Sequence, residues 1–494
     1  MSRVLKALAW ISPQAALSRA RALAMIEAST RYAGATTGRR GASFRGGAGS
    51  ANAAIGGKLS ILRERSHEMV RDHWAFSRIL DVTVGHAVGA GISILPDNGN
   101  DRVDRIAKVA FEEWAASADI SGENDLNGLL ALAVRGMLEG GNTLTRMVPR
   151  KMDGKRKVPL ALQLLEGEHI DHTKDGKING KQTRLGVVLG DHDERLGYWV
   201  FPQHPGENTA GIGQTDAVFL DRAETIHLYR QLRPGQILGV PVFAPILLPA
   251  RDLDDLMEAV IIKAKIEACF SAFVTKQGDG GPLASLTSDK GDRAITEIAP
   301  GVINHLREGE SITFAQPTGT SHFESINLAG LYAMAAGAGV TYDQMTGDLR
   351  QANYSSLRAG KIEFRRQIEQ LQWLTIVPKQ LNPITRRFTE TAILAGALKE
   401  RKDGYRWKYV MPANEPIDPK KDLEADILAV RAGRMSPQEF IAGWGRDWRE
   451  VIDDFASFLA EIDKKGLVFD FDPRKLNKSG SEHPEPPAAS GSQE

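Results

Sequence analysis

Apolar positions recur at helical spacing from Leu59 to Val88, with Leu59, Leu62, Met69 and Val70 on one face, and the spacing predicts helix there. A clearer helix is predicted over Arg102–Ala116, where Val103, Ile106, Ala107, Ala110 and Trp114 fall at i, i+3, i+4, i+7 and i+11. Between Asn142 and Tyr229 the period shortens. TLTRMV, PLALQLLE, LGVVLG, GYWVFP and ETIHLYR read as short strands, and KDGKING and LGDHDERLG as the turns between them. Prolines at 234, 241, 245 and 249 then mark an extended lead-in to a helix expected to start near Ala250. Leu253, Leu256, Met257, Val260, Ile261 and Ala264 give that helix one apolar face. Asp252, Asp254, Asp255 and Glu258 load its expected first turns with the charge that complements a helix dipole.

The segment KQGDGGPLASLTSDKGDRAI breaks the helix, and GVINHLREGESITFAQPTG reads as strands around a turn at Arg307–Gly309. A second helix, about Ser325–Gly339, is rich in Ala and Gly, which permits close packing. A polar loop, TYDQMTGDLRQANYSS, leads to a long helix from Ser356 to Val377. Pro378 and Pro383 should stop or kink it, with helix resuming to Leu398. Three helices are expected at 420–432, 436–443 and 447–464. Ser436, Pro437 and Glu439 fit the N-cap, N1 and N3 positions of the second. Trp444, Trp448, Ile452 and Phe455 keep helical spacing and read as a core-facing stripe, with a ligand surface as the alternative.

The chain has 494 residues, which at about 150 residues per domain suggests roughly three domains. It carries 62 Lys+Arg and 62 Asp+Glu, but the balance is uneven. Met1–Leu80 holds 13 basic and 4 acidic residues, whereas Met411–Asp470 holds 13 acidic and 8 basic. The first 58 residues read as a basic arm with a Gly-rich stretch at 34–57, too polar to support a core. The N-terminus reads as an amphipathic arm or a frayed terminus, not an export signal, because Ser12, Pro13, Gln14, Arg19 and Arg21 interrupt its apolar run. The last twenty or so residues are polar and rich in Pro and Ser, a composition expected to be disordered. A single cysteine, Cys269, excludes an intrachain disulfide and a Cys-based metal site. No apolar run approaches the roughly 18 residues of a spanning helix, so no membrane partner is expected.

Catalytic patterns are absent: the sequence holds no phosphate-loop, nucleophile-elbow or H-E-x-x-H motif. His67 and His73 lie six apart and do not share a helical face. His169 and His172, with Asp171 between them, read as solvated turn residues in preference to metal ligands. GAGVTYDQMTGD is a weak nucleotide loop, and Cys269 reads as a small buried apolar residue. No enzyme activity, cofactor or metal is therefore expected.

A set of segments in fixed order resembles one family. They are ARALAMIEASTRYAGA, LRERSHEMVRDHWAFSRILDVTVGHAVGAGI, EGGNTLTRMV, ETIHLYRQLRPGQILGVPVFAPIL, LREGESITF, PITRRFTETAILAGAL, the 418–448 region and, most specific, TYDQMTGDLRQANYSSLRAGKIEFRR. The chain resembles the lambda-type bacteriophage portal proteins over some 400 residues; the Gly-rich 38–57 departs from the pattern. The fold class this implies is α+β, with mostly helical wing, stem and crown regions and a small β-rich subdomain. The implied parts are an N-terminal arm at 1–58, a wing at 59–249, stem helices at 250–273 and 325–340 flanking a clip at 274–324, a tunnel loop at 341–356, a long helix with the return of the wing at 357–417, a crown at 418–472 and a tail at 473–494.

The resemblance also implies a ring, usually of twelve subunits, at one capsid vertex in the virion, assembled in the host cytoplasm. Double-stranded DNA would pass its channel without being read. The implied partners are the terminase large subunit, capsid and scaffold proteins and head–tail connector proteins. Thr341, Asp343, Gln344, Thr346, Gly347, Arg350, Asn353, Ser355, Ser356 and Arg358 would form the narrowest ring of the channel, and Arg251, Asp252, Asp255, Lys263 and Lys265 are candidates for the stem lining. Arg365 and Arg366 would pair with neighbouring subunits. The alternatives are a phage head-processing nuclease or protease and a DNA-binding protein that forms no ring.

Overall fold

The computed structural model describes residues 49–151, 156–207, 216–269, 273–275, 304–306, 323–350, 353–416, 418–467, 469 and 472, together with Gln14, Ser18 and Arg19. The chain divides into two compact units, Met1–Ala54 and Ile55–Glu494. The expectations for most of the N-terminal arm, most of the clip and the tail lie outside the described residues. The rest of the architecture belongs to the second unit.

The helix expected over 59–88 is two helices, α1 (Leu59–Asp72) and α2 (Trp74–Ala87). His73 breaks the run with an extended backbone, and its Nδ1 accepts the Ala75 N–H at 3.1 Å, capping α2. Leu59 and Val70 are buried as expected. After β1 (Ser93–Pro96) comes α3 (Asp101–Ala115). Its buried face is Ala107, Ala110, Phe111 and Trp114, and Ile106, assigned inward from the sequence, is exposed. The inward stripe is centred one residue further on because Phe111 enters an aromatic cluster, with its ring 5.0 Å from those of both Phe388 and Trp407. α4 (Leu126–Gly140) is buried on most sides. It stops at Gly141, whose φ of 84° and proximity to the Val240 backbone leave no room for a Cβ.

The strand-rich block appears where the alternation places it. β2 (Asn142–Pro149) is the centre of a three-stranded antiparallel sheet between β3 (Leu160–Glu166) and β9 (Thr225–Tyr229). A second sheet is a five-stranded meander of β4 (Gly176–Ile178), β5 (Lys181–Arg184), β6 (Val187–Leu189), β7 (Arg195–Val200) and β8 (Val218–Asp221). The β4–β5 hairpin turns on Asn179 and Gly180, both at positive φ. That is the conformation tight hairpins require, and it makes the polar KDGKING segment part of the sheet as well as a turn.

α5 (Leu247–Cys269) and α6 (Phe323–Ala338) follow, with the short parallel pair β10 (Phe273–Thr275) and β11 (Asn304–Leu306) between them in sequence. Beyond α7 (Tyr342–Thr346), α8 (Tyr354–Leu371) runs into a π-helical segment, Gln372–Leu381, and then α9 (Asn382–Leu394). Pro378 therefore does not stop the helix; the chain passes it in the wider π register. Pro383 stands at the second position of α9, directly after the π segment. The π segment is anchored by buried amides: Gln372 Nε2 donates to the Ala87 carbonyl at 2.9 Å and Gln380 Nε2 to Thr145 Oγ1 at 2.9 Å. β12 (Trp407–Val410) returns to pair antiparallel with β1. One core joins α1–α4, the three-stranded sheet, the N-terminal end of α5, the C-terminal end of α6 and the α8–α9 run.

The three C-terminal helices, α10 (Pro419–Arg431), α11 (Pro437–Gly443) and α12 (Trp448–Lys465), lie within a residue or so of their expected bounds. Ser436 and Glu439 form the anticipated capping box around Pro437. The stripe on these helices is not core-facing: Trp444, Ile452 and Phe455 are 40%, 51% and 54% exposed. Helical spacing identifies a face, but only the tertiary arrangement supplies something to cover it. Among the described residues, no helix is long and apolar enough to cross a membrane.

Candidate functional site

α5 begins at Leu247, three residues before the expected start, and Pro249 is tolerated in its first turn. The acidic residues 252–258 therefore sit beyond the first turn and do not cap the dipole. Asp254 serves another purpose: its carboxylate lies 3.1 Å from His73 Nε2, tying α5 to the α1–α2 break. Glycines bring α6 close. A Cβ on Gly330 would lie 3.0 Å from Leu253 Cδ1, and one on Gly337 2.4 Å from Ile246 Cγ2. The apolar face of α5 is only partly covered by this contact, since Met257 and Ile261 remain exposed, as do Ile326 and Tyr332 on α6. Of the stem-lining candidates, Arg251, Asp252, Asp255 and Lys265 are exposed and Lys263 is half-buried; Arg251 pairs with Asp255 at 3.5 Å along the helix. The side chains of Glu267 and Cys269 lie outside the described residues.

The segment 341–358 is more structured than the expected polar loop. Gln344 Oε1 accepts from the Thr341 N–H at 3.0 Å and from Thr341 Oγ1 at 3.1 Å. Thr346 Oγ1 donates to the Tyr342 carbonyl at 2.8 Å, and Gly347 ends α7 in the left-handed conformation. Asn353 accepts the Ser356 N–H at 2.8 Å as the N-cap of α8, and Ser356 Oγ returns to the Asn353 carbonyl at 3.0 Å. Most of the hydroxyls and amides of this segment are thus engaged in capping and local turns. Met345 is buried in the core, the Tyr332 and Tyr342 rings are 4.6 Å apart, and Arg78 Nε donates to the Gln344 carbonyl at 3.3 Å. Asp343 is half-buried.

What projects is a short tip comprising Gly347, Leu349, Arg350, Asn353, Ser355 and Ser356. Leu349, 60% exposed, was not singled out from the sequence. Arg350 forks onto Asp348 with bonds of 2.9 and 2.8 Å, and this bidentate partner holds the Asp348 carboxyl well below the usual range. The tip therefore carries a cation already matched by its own anion. Arg358 is turned away from it, 3.2 Å from Asp422 of α10. Arg365 bonds the Glu415 carbonyl of the same chain.

Other charged groups converge in ways the sequence does not announce. His67 bridges Glu139 at 2.7 Å and Glu168 at 3.1 Å; these hydrogen bonds push its imidazole up to about 10. Arg63, almost wholly buried, donates to the Gly140 carbonyl at 3.0 Å and lies 3.6 Å from Glu168. Lys379 in the π segment donates to the Tyr229 carbonyl at 2.8 Å, and burial, with Arg195 adding repulsion, brings it down to about 8. Neither His169 nor His172 is the solvated turn residue expected: His169 is buried with Nδ1 at 2.8 Å from the Phe201 carbonyl, and burial lowers His172.

Glu166, Glu168 and His204 place one ligand atom each within 4.8 Å of one another. His204 Nδ1, however, accepts the Gly206 N–H at 3.0 Å, which leaves the proton of the neutral ring on Nε2, facing Glu166 at 3.1 Å. Glu168 is already matched by His67 and Arg63.

The fold and this site define a subunit whose long helices and C-terminal lobe present apolar surface that the single chain does not cover. Residues 37–372 match the family model for the lambda family of phage portal proteins, and the chain belongs to that family. It is similar to a probable portal protein of Halomonas phage phiHAP-1, 24% identical over 469 residues covering 90% of this chain and 88% of the relative. It is also similar to portal protein B of Escherichia phage lambda, 24% identical over 323 residues, 55% of this chain and 57% of that protein. Among solved structures it is similar to chains in the neck of an empty GTA particle computed with C6 symmetry (TM-score 0.42, 16% identity, 78% of this chain and 93% of that one) and in the neck of a native GTA particle computed with C12 symmetry (TM-score 0.40, 16% identity, 76% and 93%).

Proposed function

We propose that copies of this chain close into a ring of twelve at one vertex of a phage capsid, and that duplex DNA enters and leaves through its channel. The observation that carries this reading is the family match across 37–372, which includes both α5 and α6 and the 341–358 segment. Head-to-tail contacts that close by rotation would cover the apolar positions left bare on the stem helices, such as Met257, Ile261 and Ile326. In the ring, α5 and α6 form the stem, β10 and β11 belong to the clip, α1–α4 with the two sheets and α9 form the wing, and α10–α12 the crown.

A channel must let DNA slide. Duplex DNA carries about one charge per 1.7 Å, and strongly cationic walls would hold it. The described part of the tip, 347–350 and 353–356, suits weak contact. Its hydroxyl and amide groups are mostly engaged with their own backbone, and Arg350 is neutralised by Asp348. The role is structural: the ring nucleates procapsid assembly with capsid and scaffold proteins, docks the terminase large subunit during packaging and later holds the head–tail connector, assembling in the host cytoplasm and remaining in the virion.

Native mass spectrometry of the purified chain tests the ring: about twelve times the 53.9 kDa subunit mass is expected. A species that stays monomeric or dimeric with capsid and scaffold components present refutes it and favours the DNA-binding protein without a ring. Replacing Asp348 by Ala frees Arg350 and should slow packaging while leaving ring mass unchanged.

A further inference from the structure

We propose that the C-terminal lobe α10–α12 is an ionic latch, docked on α3 and α8 by exposed ion pairs and releasable from them, and that its release loosens the first turns of α8. Its attachment differs from the rest of the unit. α10 and α11 contribute no buried residue and α12 only Ile462, so the lobe adds almost nothing to the common core. Charges hold it instead. Lys108 of α3 bonds Glu450 of α12, and Arg449 reaches Asp97 at 3.7 Å and Asp101 at 4.0 Å. On the other side Arg358 of α8 meets Asp422 at 3.2 Å, and Arg365 bonds the Glu415 carbonyl just before the lobe.

The packing between these contacts is open. A surface cleft of about 340 Å3 separates α8 from α10 and α11, lined by Ile362, Arg365, Ala425, Met435 and Phe440. Another of about 360 Å3 separates α3 from the start of α12, lined by Arg105, Lys108, Trp448 and Ile452. Both clefts open to solvent, and with Ile462 the one buried residue of the three helices the docked position gains little from apolar burial and depends on the ion pairs. Pairs of this exposure are individually weak and are screened by salt.

The coupling to α8 runs through Arg358, which stands in the second turn of that helix, five residues after its cap Asn353. When Asp422 leaves, that turn loses this ion pair, whereas Met345 and the π segment remain fixed in the core.

Amide hydrogen exchange on the full chain, in whatever assembly it forms, tests this. Three exposed pairs together are expected to change the docking equilibrium about tenfold between 50 and 500 mM NaCl. Exchange over 419–465 should rise by that factor, exchange over 353–360 should rise with it, and exchange over 126–149 in the core should stay constant. Glu450→Lys should reproduce the loosening of the lobe at low salt, and adding Lys108→Glu should restore protection, which a merely damaged fold would not do. Asp422→Ala should loosen 353–360. Unchanged protection of 419–465 under both salt and charge reversal overturns the latch. A lobe that loosens while 353–360 stays protected overturns the coupling.

Discussion

His67 offers a sharp test of the buried electrostatics in the sheet-bearing part of the chain. Its imidazole, raised to about 10 by Glu139 and Glu168, binds a proton in the folded state across a pH range in which the unfolded chain, near 6.5, has released it. Below about pH 6.5 both states are protonated and the stabilisation is fully present. As pH rises towards 10 the folded state binds more protons than the unfolded state, and stability must fall. A shift from 6.5 to about 10 in a fully shielded group would correspond to roughly 5 kcal/mol. His67 is about one-third exposed and shares its proton between two carboxylates, so solvent screening reduces the expectation to about 1–2 kcal/mol.

Lys379 works in the opposite sense. Brought down to about 8 in the fold, it makes stability rise with pH between about 8 and its unfolded value. The contribution of His67 is therefore read as a difference. Urea unfolding of the full chain and of His67→Gln at pH 6.5, 8 and 9.5 should give stabilities about 1–2 kcal/mol apart at pH 6.5 and converging as pH rises above the unfolded value. Parallel pH profiles for the two proteins would refute the bridged, protonated imidazole.

Phe388 has no exposed surface and its ring lies 5.0 to 5.8 Å from those of Phe111, Trp114 and Trp407; Phe388→Ala should cost about 3–5 kcal/mol in urea unfolding followed by tryptophan fluorescence. Gly337→Val should cost about 1–3 kcal/mol, because its Cβ would lie 2.4 Å from Ile246, itself buried and unable to swing out; the stability is read by unfolding and the assembly yield by native mass spectrometry. Ser436→Ala removes the cap of α11 and should lower its local stability by about 1 kcal/mol, seen as faster exchange confined to 437–443.

Elements with a strong period or an explicit stop signal were readable one residue at a time. The capping box at Ser436 is local chemistry within four residues, and it stands where the residues put it. The alternating segments from Thr143 to Tyr229 became strands for the same reason. The Asn179–Gly180 hairpin was legible in principle but hidden by its polar strands, whose outward faces need no apolar residues. Pro378 does not stop the helix, because a proline ends an α-helix only if the chain keeps the α register, and the buried Gln372 and Gln380 amides stabilise a different one.

The candidate site was legible only as a location. The 341–358 segment stands out by its similarity to the family, yet whether its side chains are free donors depends on backbone partners that form when α7 and α8 cap themselves. Arg358 is placed in the channel ring by the resemblance, but in the fold Asp422, 64 residues away, stands beside it. His67 shows no ligand spacing with any other histidine, because its partners lie 72 and 101 residues further along the chain.

By itself the sequence determined the family, many of the helices and strands and the cap at Ser436, since these follow from periods and caps spanning a few residues. Tertiary structure alone decided which face of each helix is covered, which cations are matched and which remain available. Burial and pairing depend on what the rest of the chain brings to within a few ångströms, and that is a property of the whole fold.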